Sequence, residues 1–274
     1  MKPNKIKPRQ HRGALAVAAF IGVAAIFAVL AIGYGKLREL WLQQCRITDF
    51  ARQVSITPGK MVKADVVAME LSLTNGANLA LIDFKAKRRD ILKKIPNLKS
   101  VAISRGLPDK VRVVTEERTP IARLSTVNRR SETGKVVDSE GVVFICQRGT
   151  QTLPMIREPH EPGTRPGCRL TGRSMAALRF IEACRDPEFA DLAVQQVDLS
   201  KRGYLLATLG SYSRVKLGWE GMDEPDEANR KNLLRQLGML TKAIRARAAS
   251  GTVIWNATDT SSPGRIYAEM KPTP

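Results

Sequence analysis

The sequence predicts an α+β protein carried on a single N-terminal transmembrane helix. Three observations support this prediction. Residues 13–35 contain no charged residue, strand and helix patterns alternate over residues 46–117, and residues 118–271 combine short alternating strands with two amphipathic helices. The predicted order is a basic tail over residues 1–12, the helix, a βααββ domain, and a second α+β domain with a mainly antiparallel sheet.

The uncharged segment has the length and the flanks of a membrane anchor. At about 1.5 Å per residue it spans roughly 35 Å, against a hydrocarbon core of about 30 Å. Five basic residues and no acidic residue precede it, whereas Lys36 and Arg38 behind it are offset by Glu39. The N-terminus is therefore predicted to be cytoplasmic, with Tyr34 and Trp41 at the outer headgroup layer. A cleaved signal peptide usually has a shorter apolar stretch, which favours an uncleaved anchor.

The basic excess of the chain favours solubility and attraction to acidic surfaces over nucleic-acid binding. The formal net charge is +19, but Lys and Arg are scattered and aromatic residues make up only 5% of the chain. A nucleic-acid binder would cluster its charge and interleave aromatic residues for stacking. No nucleic-acid partner is therefore predicted.

No catalytic, cofactor or metal site is predicted. The only histidines are His11 and His160, and the sequence has no zinc-binding or phosphate-binding motif. The four cysteines allow three disulfide connectivities, and the sequence does not strongly imply any of them. Cys146 is expected to be a buried thiol, and a bridge between Cys168 and Cys184 is the best of the remaining pairings. The protein is accordingly predicted to be non-enzymatic and to need no cofactor.

The first domain is predicted from a strand, two helices and a hairpin. Residues 47–56 have strand character, and residues 61–73 carry an imperfect helical stripe. Two strands follow the second helix, over residues 99–105 and 110–116. Residues 106–109 between them read G-L-P-D, which is good turn chemistry.

The second helix of this domain has the clearest signals. Asp83 can cap its start, and Pro96 ends it. Its other face is basic and is expected to be solvated, with contact to anionic headgroups as the alternative. That face carries Lys85, Lys87, Arg88, Arg89, Lys93 and Lys94.

The second domain is predicted to be a sheet with two helices. Residues 154–168 are rich in Pro, Gly and charge and predict an irregular loop. The two helices are expected over residues 173–185 and 226–247. Strands are expected over residues 121–124, 135–138, 142–146, 194–199, 204–209, 214–219, 252–258 and 264–271.

Several short stretches carry a resemblance to a known family. N-L-A-L-I-D (78–83), I-P-N-L-K-S-V (95–101) and S-R-G-L-P-D-K-V-R-V (104–113) resemble a POTRA domain. E-E-R-T-P-I-A (116–122), V-V-D-S-E-G-V-V-F (136–144) and L-P at 153–154 resemble the continuation into the β domain of the FtsQ/DivIB bacterial cell-division proteins. Each motif alone is weak, so the resemblance rests on their order and spacing behind one anchor.

This resemblance implies a non-enzymatic bitopic scaffold of the division complex, located in the cytoplasmic membrane and concentrated at the division site. In that family the closing strand of the second domain is an open sheet edge, to which a segment of a small coiled-coil protein adds as another strand. The implied partners are the coiled-coil proteins FtsB and FtsL, with FtsK as a further candidate. The corresponding edge consists of Arg265, Ile266, Tyr267, Ala268, Glu269, Met270 and Lys271.

A secondary partner edge is expected on the last strand of the POTRA-like domain. Its outward residues are Lys110, Arg112, Val114 and Glu116. The alternative function is a POTRA-bearing component of protein secretion or outer-membrane assembly. A protein of that class is expected to have a C-terminal barrel of many alternating strands of about ten residues.

Overall fold

The computed structural model describes residues 11–106, 108–126, 134–158, 165–210, 213–224, 226–246, 253–258 and 266–270. Contacts within the chain divide it into two units. The first unit comprises Met1–Thr57, Ala64–Lys87 and Ala102–Val114, and the second comprises Pro58–Lys63, Arg88–Val101 and Thr115–Pro274.

The N-terminal helix α1 (His11–Gln44) is long and apolar enough to cross a membrane. Its part Phe20–Gln44 has a mean hydropathy of 2.0 in the most apolar window, and none of that window is buried. At 1.5 Å per residue this part extends about 37 Å, which exceeds a hydrocarbon core of about 30 Å. The predicted N-terminal apolar helix is thus confirmed, and it favours single-pass membrane anchoring.

The next six elements form a three-stranded sheet with its helices. They are α2 (Phe50–Gln53), β1 (Val54–Thr57), α3 (Ala64–Glu70), α4 (Phe84–Lys94), β2 (Leu98–Gly106) and β3 (Lys110–Glu117). The strand order is β1-β3-β2. β1 runs parallel to β3, with Val54 opposite Val111 and Thr57 opposite Val114.

Two of the predicted elements are shorter in the structure because local capping interrupts them. The predicted strand 47–56 begins only at Val54, since Asp49 caps a helical turn by accepting a hydrogen bond from the backbone N–H of Arg52 at 3.3 Å. α3 ends at Glu70, because Ser72 adopts a left-handed φ of 59°. α4 starts where the sequence predicts, because Asp83 caps it. Asp83 Oδ1 accepts hydrogen bonds from the backbone N–H groups of Lys85 and Ala86, at 3.0 and 3.1 Å.

A nine-stranded sheet dominates the second unit among the described residues. Its order is β12-β11-β10-β9-β8-β7-β4-β5-β6, and five of the eight neighbouring pairs are antiparallel, which confirms a mainly antiparallel sheet. The strands are β4 (Ala122–Thr126), β5 (Lys135–Val137), β6 (Val143–Ile145), β7 (Met155–Glu158), β8 (Val194–Asp198), β9 (Leu205–Leu209), β10 (Arg214–Leu217), β11 (Val253–Ala257) and β12 (Tyr267–Met270).

Two long helices contribute to the core of this sheet. α5 (Gly172–Ala183) and α6 (Glu227–Ala246) contact each other, and a 3-10 helix (Pro187–Leu192) contacts α6. Phe180 of α5 and Leu237 of α6 are fully buried in one hydrophobic cluster with strand residues such as Val197. Both helices therefore cover the apolar side chains of the sheet, as their predicted stripes require.

The segment predicted as an irregular loop contains an interior strand, so that prediction is wrong for residues 155–158. β7 lies between β4 and β8 and runs parallel to both, with Ile156 opposite Leu124 and Val197. The strand is only four residues long, and one of its two buried positions holds a glutamate, Glu158. A buried acid breaks the apolar alternation by which short strands are recognised.

The four cysteines are unpaired in the structure. Cys168 is exposed and Cys184 is buried, so the open alternative of a bridge between them is not formed. Cys146, which was expected to be buried, is half-buried just after β6. Burial raises the pKa of the Cys184 thiol to about 12, which makes it a poor nucleophile near neutral pH.

Replacing Glu158 by glutamine should stabilise the second unit at neutral pH. Burial raises the pKa of Glu158 above its ordinary 4.5, against the opposing hydrogen bond from Ser174 and the charge of Lys135. The contribution of the Glu158 carboxyl group to the free energy of unfolding is therefore fully present below about pH 4.5. It is lost as the pH rises through the folded-state pKa, whereas the amide of glutamine does not titrate. The stability gain of Glu158→Gln should grow with pH in urea unfolding of the full chain in detergent, followed by the fluorescence of Trp219 and Trp255.

A matched variant distinguishes titration from a packing effect. Ser174→Ala removes the hydroxyl that stabilises the carboxylate, so the pH-dependent loss of stability should move to higher pH. A difference between Glu158→Gln and wild type that stays constant from about pH 4 to about pH 8 would contradict this account.

Candidate partner-binding edges

One end of the nine-stranded sheet is covered by the chain itself. β6 is the last strand there. The backbone N–H of Val143 donates to Cys168 O at 2.9 Å, and the N–H of Gly167 donates back to Val143 O at 2.8 Å. The side-chain amide of Asn97 also donates to Ile145 O at 2.7 Å. Residues 167–168 and Asn97 thus occupy the outer side of β6.

The other end of the sheet is formed by β12, the strand that contains the predicted partner edge. β12 pairs antiparallel with β11 along its length, from Tyr267 opposite Asn256 to Met270 opposite Val253. It is the last strand in the sheet order of the described residues. A strand in this position has alternating N–H and C=O groups on its outer side that its own sheet does not use.

β12 depends on β11, which is fixed to the core. Trp255 of β11 is only 5% exposed and lies opposite Ala268. The side-chain amide of Gln236 on α6 donates to Ala257 O at 3.3 Å at the end of β11. No sequence pattern described above points to Trp255 or Gln236, although a tryptophan in a closing strand is a usable signal for a buried side chain that anchors the strand.

The side chains of the predicted edge alternate along β12. Ile266 and Ala268 are half-buried and pack against the core, whereas Tyr267 is 54% exposed. Glu269 and Met270 belong to β12, and Arg265 and Lys271 lie outside the described residues. Among the side chains of this strand whose exposure is described, Tyr267 is therefore the large one that faces solvent.

The expected secondary edge is not an edge, and that prediction is wrong. β3 lies between β1 and β2 in the first sheet, so both of its sides are paired. The hairpin signal fixes only the pairing of β2 with β3. The parallel pairing of β1 with β3 is non-local and leaves no signal in a single sequence.

The residues proposed for that secondary edge instead form the exposed face of β3. Lys110, Arg112, Val114 and Glu116 are all exposed and alternate with buried or half-buried residues. The Ser100 hydroxyl donates to Glu116 at 2.9 Å, and Lys99 lies 3.3 Å away. The hydrogen bond from Ser100 and the charge of Lys99 lower the pKa of Glu116. Its carboxylate is thus engaged across the sheet.

The next residue, Glu117, supports a backbone turn. Its carboxylate accepts hydrogen bonds from the N–H groups of Lys60, Met61 and Val62 at 2.9, 2.8 and 2.7 Å. A Cβ at Gly59 would lie 1.9 Å from Glu117 Oε1, so a larger residue there would have to displace the carboxylate from these N–H groups. Glu117 therefore satisfies three N–H groups of the turn that leads into α3.

The next residue, Arg118, donates hydrogen bonds to one backbone carbonyl and two carboxylates in the second unit. Its guanidinium donates to Pro96 O at 3.2 Å, to Glu140 at 3.1 Å, and to Asp138. Burial alone would lower the pKa of Arg118, but the hydrogen bonds to Asp138 and Glu140 raise it. The other oxygen of Asp138 accepts a hydrogen bond from the N–H of Val142 at 2.8 Å, so Asp138 also stabilises the turn before β6.

Comparison with known proteins identifies the domain that contains the three-stranded sheet. The family model "POTRA domain, FtsQ-type" matches residues 51–118, which run from α2 to the end of β3 and include Arg118. This match confirms the POTRA prediction and supports the resemblance to FtsQ/DivIB proteins. The search of curated proteins found no match to the chain. POTRA domains are in general protein-interaction modules without enzymatic activity.

Replacing Arg118 by methionine should strongly destabilise the second unit. The variant leaves Asp138, whose side chain is 5% exposed, as a buried charge without its ion-pair partner. Loss of one partner of a buried pair costs about 3–5 kcal/mol. The measurement is urea unfolding of the full chain in detergent, followed by the fluorescence of Trp219 and Trp255.

Lys231→Met is the matched control, because its ion pair with Glu227 is 73% and 80% exposed. That control should cost about 0–1 kcal/mol. Adding Asp138→Asn to Arg118→Met should recover part of the loss, since the amide removes the unpaired charge. Equal destabilisation by Arg118→Met and Lys231→Met would refute the structural role of Arg118.

Proposed function

We propose that this chain, which carries a POTRA domain of the FtsQ type, is a non-enzymatic membrane-anchored scaffold of the bacterial division complex. In this proposal, residues 46–117 form the POTRA domain and residues 118–271 the FtsQ-type β domain. The protein links cytoplasmic and extracytoplasmic division proteins at the septum. Its work is binding, with no turnover of substrate.

The observation that carries the proposal is the difference between the two ends of the nine-stranded sheet. The β6 end is closed by the chain's own residues, whereas β12 is outermost in the described part of the chain. An incoming strand would pair with the outer N–H and C=O groups of β12. Each such backbone hydrogen bond is worth about 0.5–1.5 kcal/mol net, so side chains must supply the specificity.

The partner proposed for this edge is a segment of a coiled-coil division protein. By the family resemblance these proteins are FtsB and FtsL, with FtsK as a further partner. Tyr267, with its exposed ring, is the side chain best placed to choose among strands. The basic residues Arg265 and Lys271, which flank this strand in the sequence, favour a partner segment with acidic flanks.

The proposed topology follows the charge asymmetry of the anchor. The basic tail lies in the cytoplasm, α1 crosses the membrane once, and both units are extracytoplasmic. The alternative, a POTRA-bearing component of secretion or outer-membrane assembly, is not favoured by a POTRA match of the FtsQ type.

Replacing Tyr267 by lysine should weaken binding of the coiled-coil partner by about tenfold or more, which corresponds to about 1.4 kcal/mol. The variant removes the exposed aromatic ring and adds a charge beside the proposed incoming strand. Affinity is measured between the full chain in detergent and the purified coiled-coil partners. An unchanged melting temperature shows that the fold is intact.

Val114→Lys is the matched control, because Val114 is 39% exposed but lies on a strand that is paired on both sides. This control should bind the partners as the wild type does. If the Tyr267 and Val114 variants bind the partners with equal affinity, β12 is not the binding edge.

Depleting the protein in its host should produce filaments or chains of unseparated cells, because the division complex would lack its scaffold. Microscopy of depleted cells and the level of assembled outer-membrane proteins are measured together. Normal septation with defective outer-membrane protein assembly would contradict the division role and support the alternative.

A further inference from the structure

The turn at residues 78–82 is attached directly to the last turn of the membrane helix. The side-chain amide of Asn78 donates to Leu42 O at 2.8 Å, and the N–H of Leu79 donates to Cys45 O at 2.9 Å. Cys45 is fully buried, although it is the first residue after α1. The first unit is thus joined to α1 without a flexible linker.

The end of α1 carries residues that mark the depth of the headgroup layer. Leu37, Leu40 and Trp41 are all exposed in the structure, at 69%, 58% and 47%. The charged residues Lys36, Arg38 and Glu39 in the same stretch end the apolar span, and tryptophan favours the headgroup layer. Leu42, which accepts the hydrogen bond from Asn78, follows Trp41 by one residue, or about 1.5 Å. The turn therefore lies at the level of the headgroups.

This turn presents a leucine to the outside on a rigid backbone. Leu81 is 69% exposed. Its N–H donates to Asn78 O at 3.1 Å, and Asn78 Oδ1 accepts from the N–H of Ala80 at 3.0 Å. Single exposed leucines are ordinary on protein surfaces. This one differs because the same turn is hydrogen-bonded to a membrane-spanning helix.

Exposed arginines flank the turn. Arg46 forms an isolated β-bridge with Asn78, next to α1. Arg105 donates to Ile82 O at 2.6 Å and stacks over the ring of Phe84 at 4.5 Å. An exposed leucine in a turn flanked by two exposed arginines matches the boundary between acyl chains and phosphates, where apolar groups insert and cations meet anionic lipid.

We propose that residues 78–82 form a membrane-contact site, in which Leu81 inserts into the headgroup layer and Arg46 and Arg105 contact lipid phosphates. The proposal rests on the membrane anchoring proposed above. The occupant of this surface is the anionic phospholipid of the leaflet into which α1 runs. Such a contact would limit the tilt of the first unit on its anchor, because the unit would be held both by the helix and by the turn.

The test measures lipid contact at position 81 in the full chain reconstituted in nanodiscs. Leu81→Cys is labelled with a small environment-sensitive fluorophore in a background of Cys146→Ser and Cys168→Ser. The remaining thiols, Cys45 and Cys184, are buried and stay unlabelled. Quenching is compared between a headgroup-nitroxide phospholipid and aqueous iodide, in discs with and without phosphatidylglycerol.

Two further label positions serve as references. Tyr34→Cys lies on the membrane helix near the outer headgroup layer, where the side chain is 71% exposed, and it should be quenched by the headgroup-nitroxide phospholipid. Thr57→Cys is exposed at the far end of β1, about 10 Å along the strand from Val54, and it should be reached by iodide.

The expected result is that the label at position 81 is quenched by headgroup nitroxide several-fold more than the label at position 57, and is protected from iodide. Arg46→Glu should reduce the additional quenching that phosphatidylglycerol produces. A label at position 81 that behaves like the one at position 57, or that is shielded from both quenchers by protein, overturns the proposal. If position 34 also escapes lipid quenching, membrane anchoring itself fails; if only position 81 does, this inference alone fails.

Discussion

The structure depends on one constraint, that every backbone N–H and C=O group taken from water must find another partner. A sheet satisfies this constraint internally except at its two ends. At one end, Gly167 and Cys168 pair with β6 and close it. At the other end, β12 depends on β11, and β11 is held by buried Trp255 and by Gln236 of α6. An open edge on a well-anchored strand is a liability for aggregation, and it persists where another chain uses it.

Three residues of the string that carries the family resemblance have structural roles and lie away from the proposed partner edge. The E-E-R string engages a neighbouring strand through Glu116, a backbone turn through Glu117 and a buried ion pair through Arg118. Charged side chains at such positions are hard to replace, because each satisfies donors or acceptors that would otherwise be unpaired. The motif therefore identifies the fold, whereas the proposed edge strand would bind largely through its backbone and carries no comparable motif.

Local interactions made most of the fold predictable from the sequence, and non-local ones account for the errors. The start of α4 at its Asp83 cap and the β2–β3 hairpin follow from neighbouring residues, so both predictions hold. The interior position of β3 depends on β1, more than fifty residues earlier. β7 was missed because its alternation includes buried Glu158. The covering of β6 by Gly167 was also unpredictable, since that residue belongs to a segment without periodicity.

The short edge strand is sufficient for the proposed function because of where it is held. β12 has four residues, so an added strand makes on the order of two to four backbone hydrogen bonds to it, or about 1–6 kcal/mol. Alone this corresponds to weak binding, with a Kd between about 0.1 M and tens of micromolar. A partner anchored in the same membrane, however, searches a thin layer, and this confinement raises its effective concentration. Membrane anchoring and a modest β-edge therefore complement each other, since the first supplies the encounter and the second supplies the choice of partner.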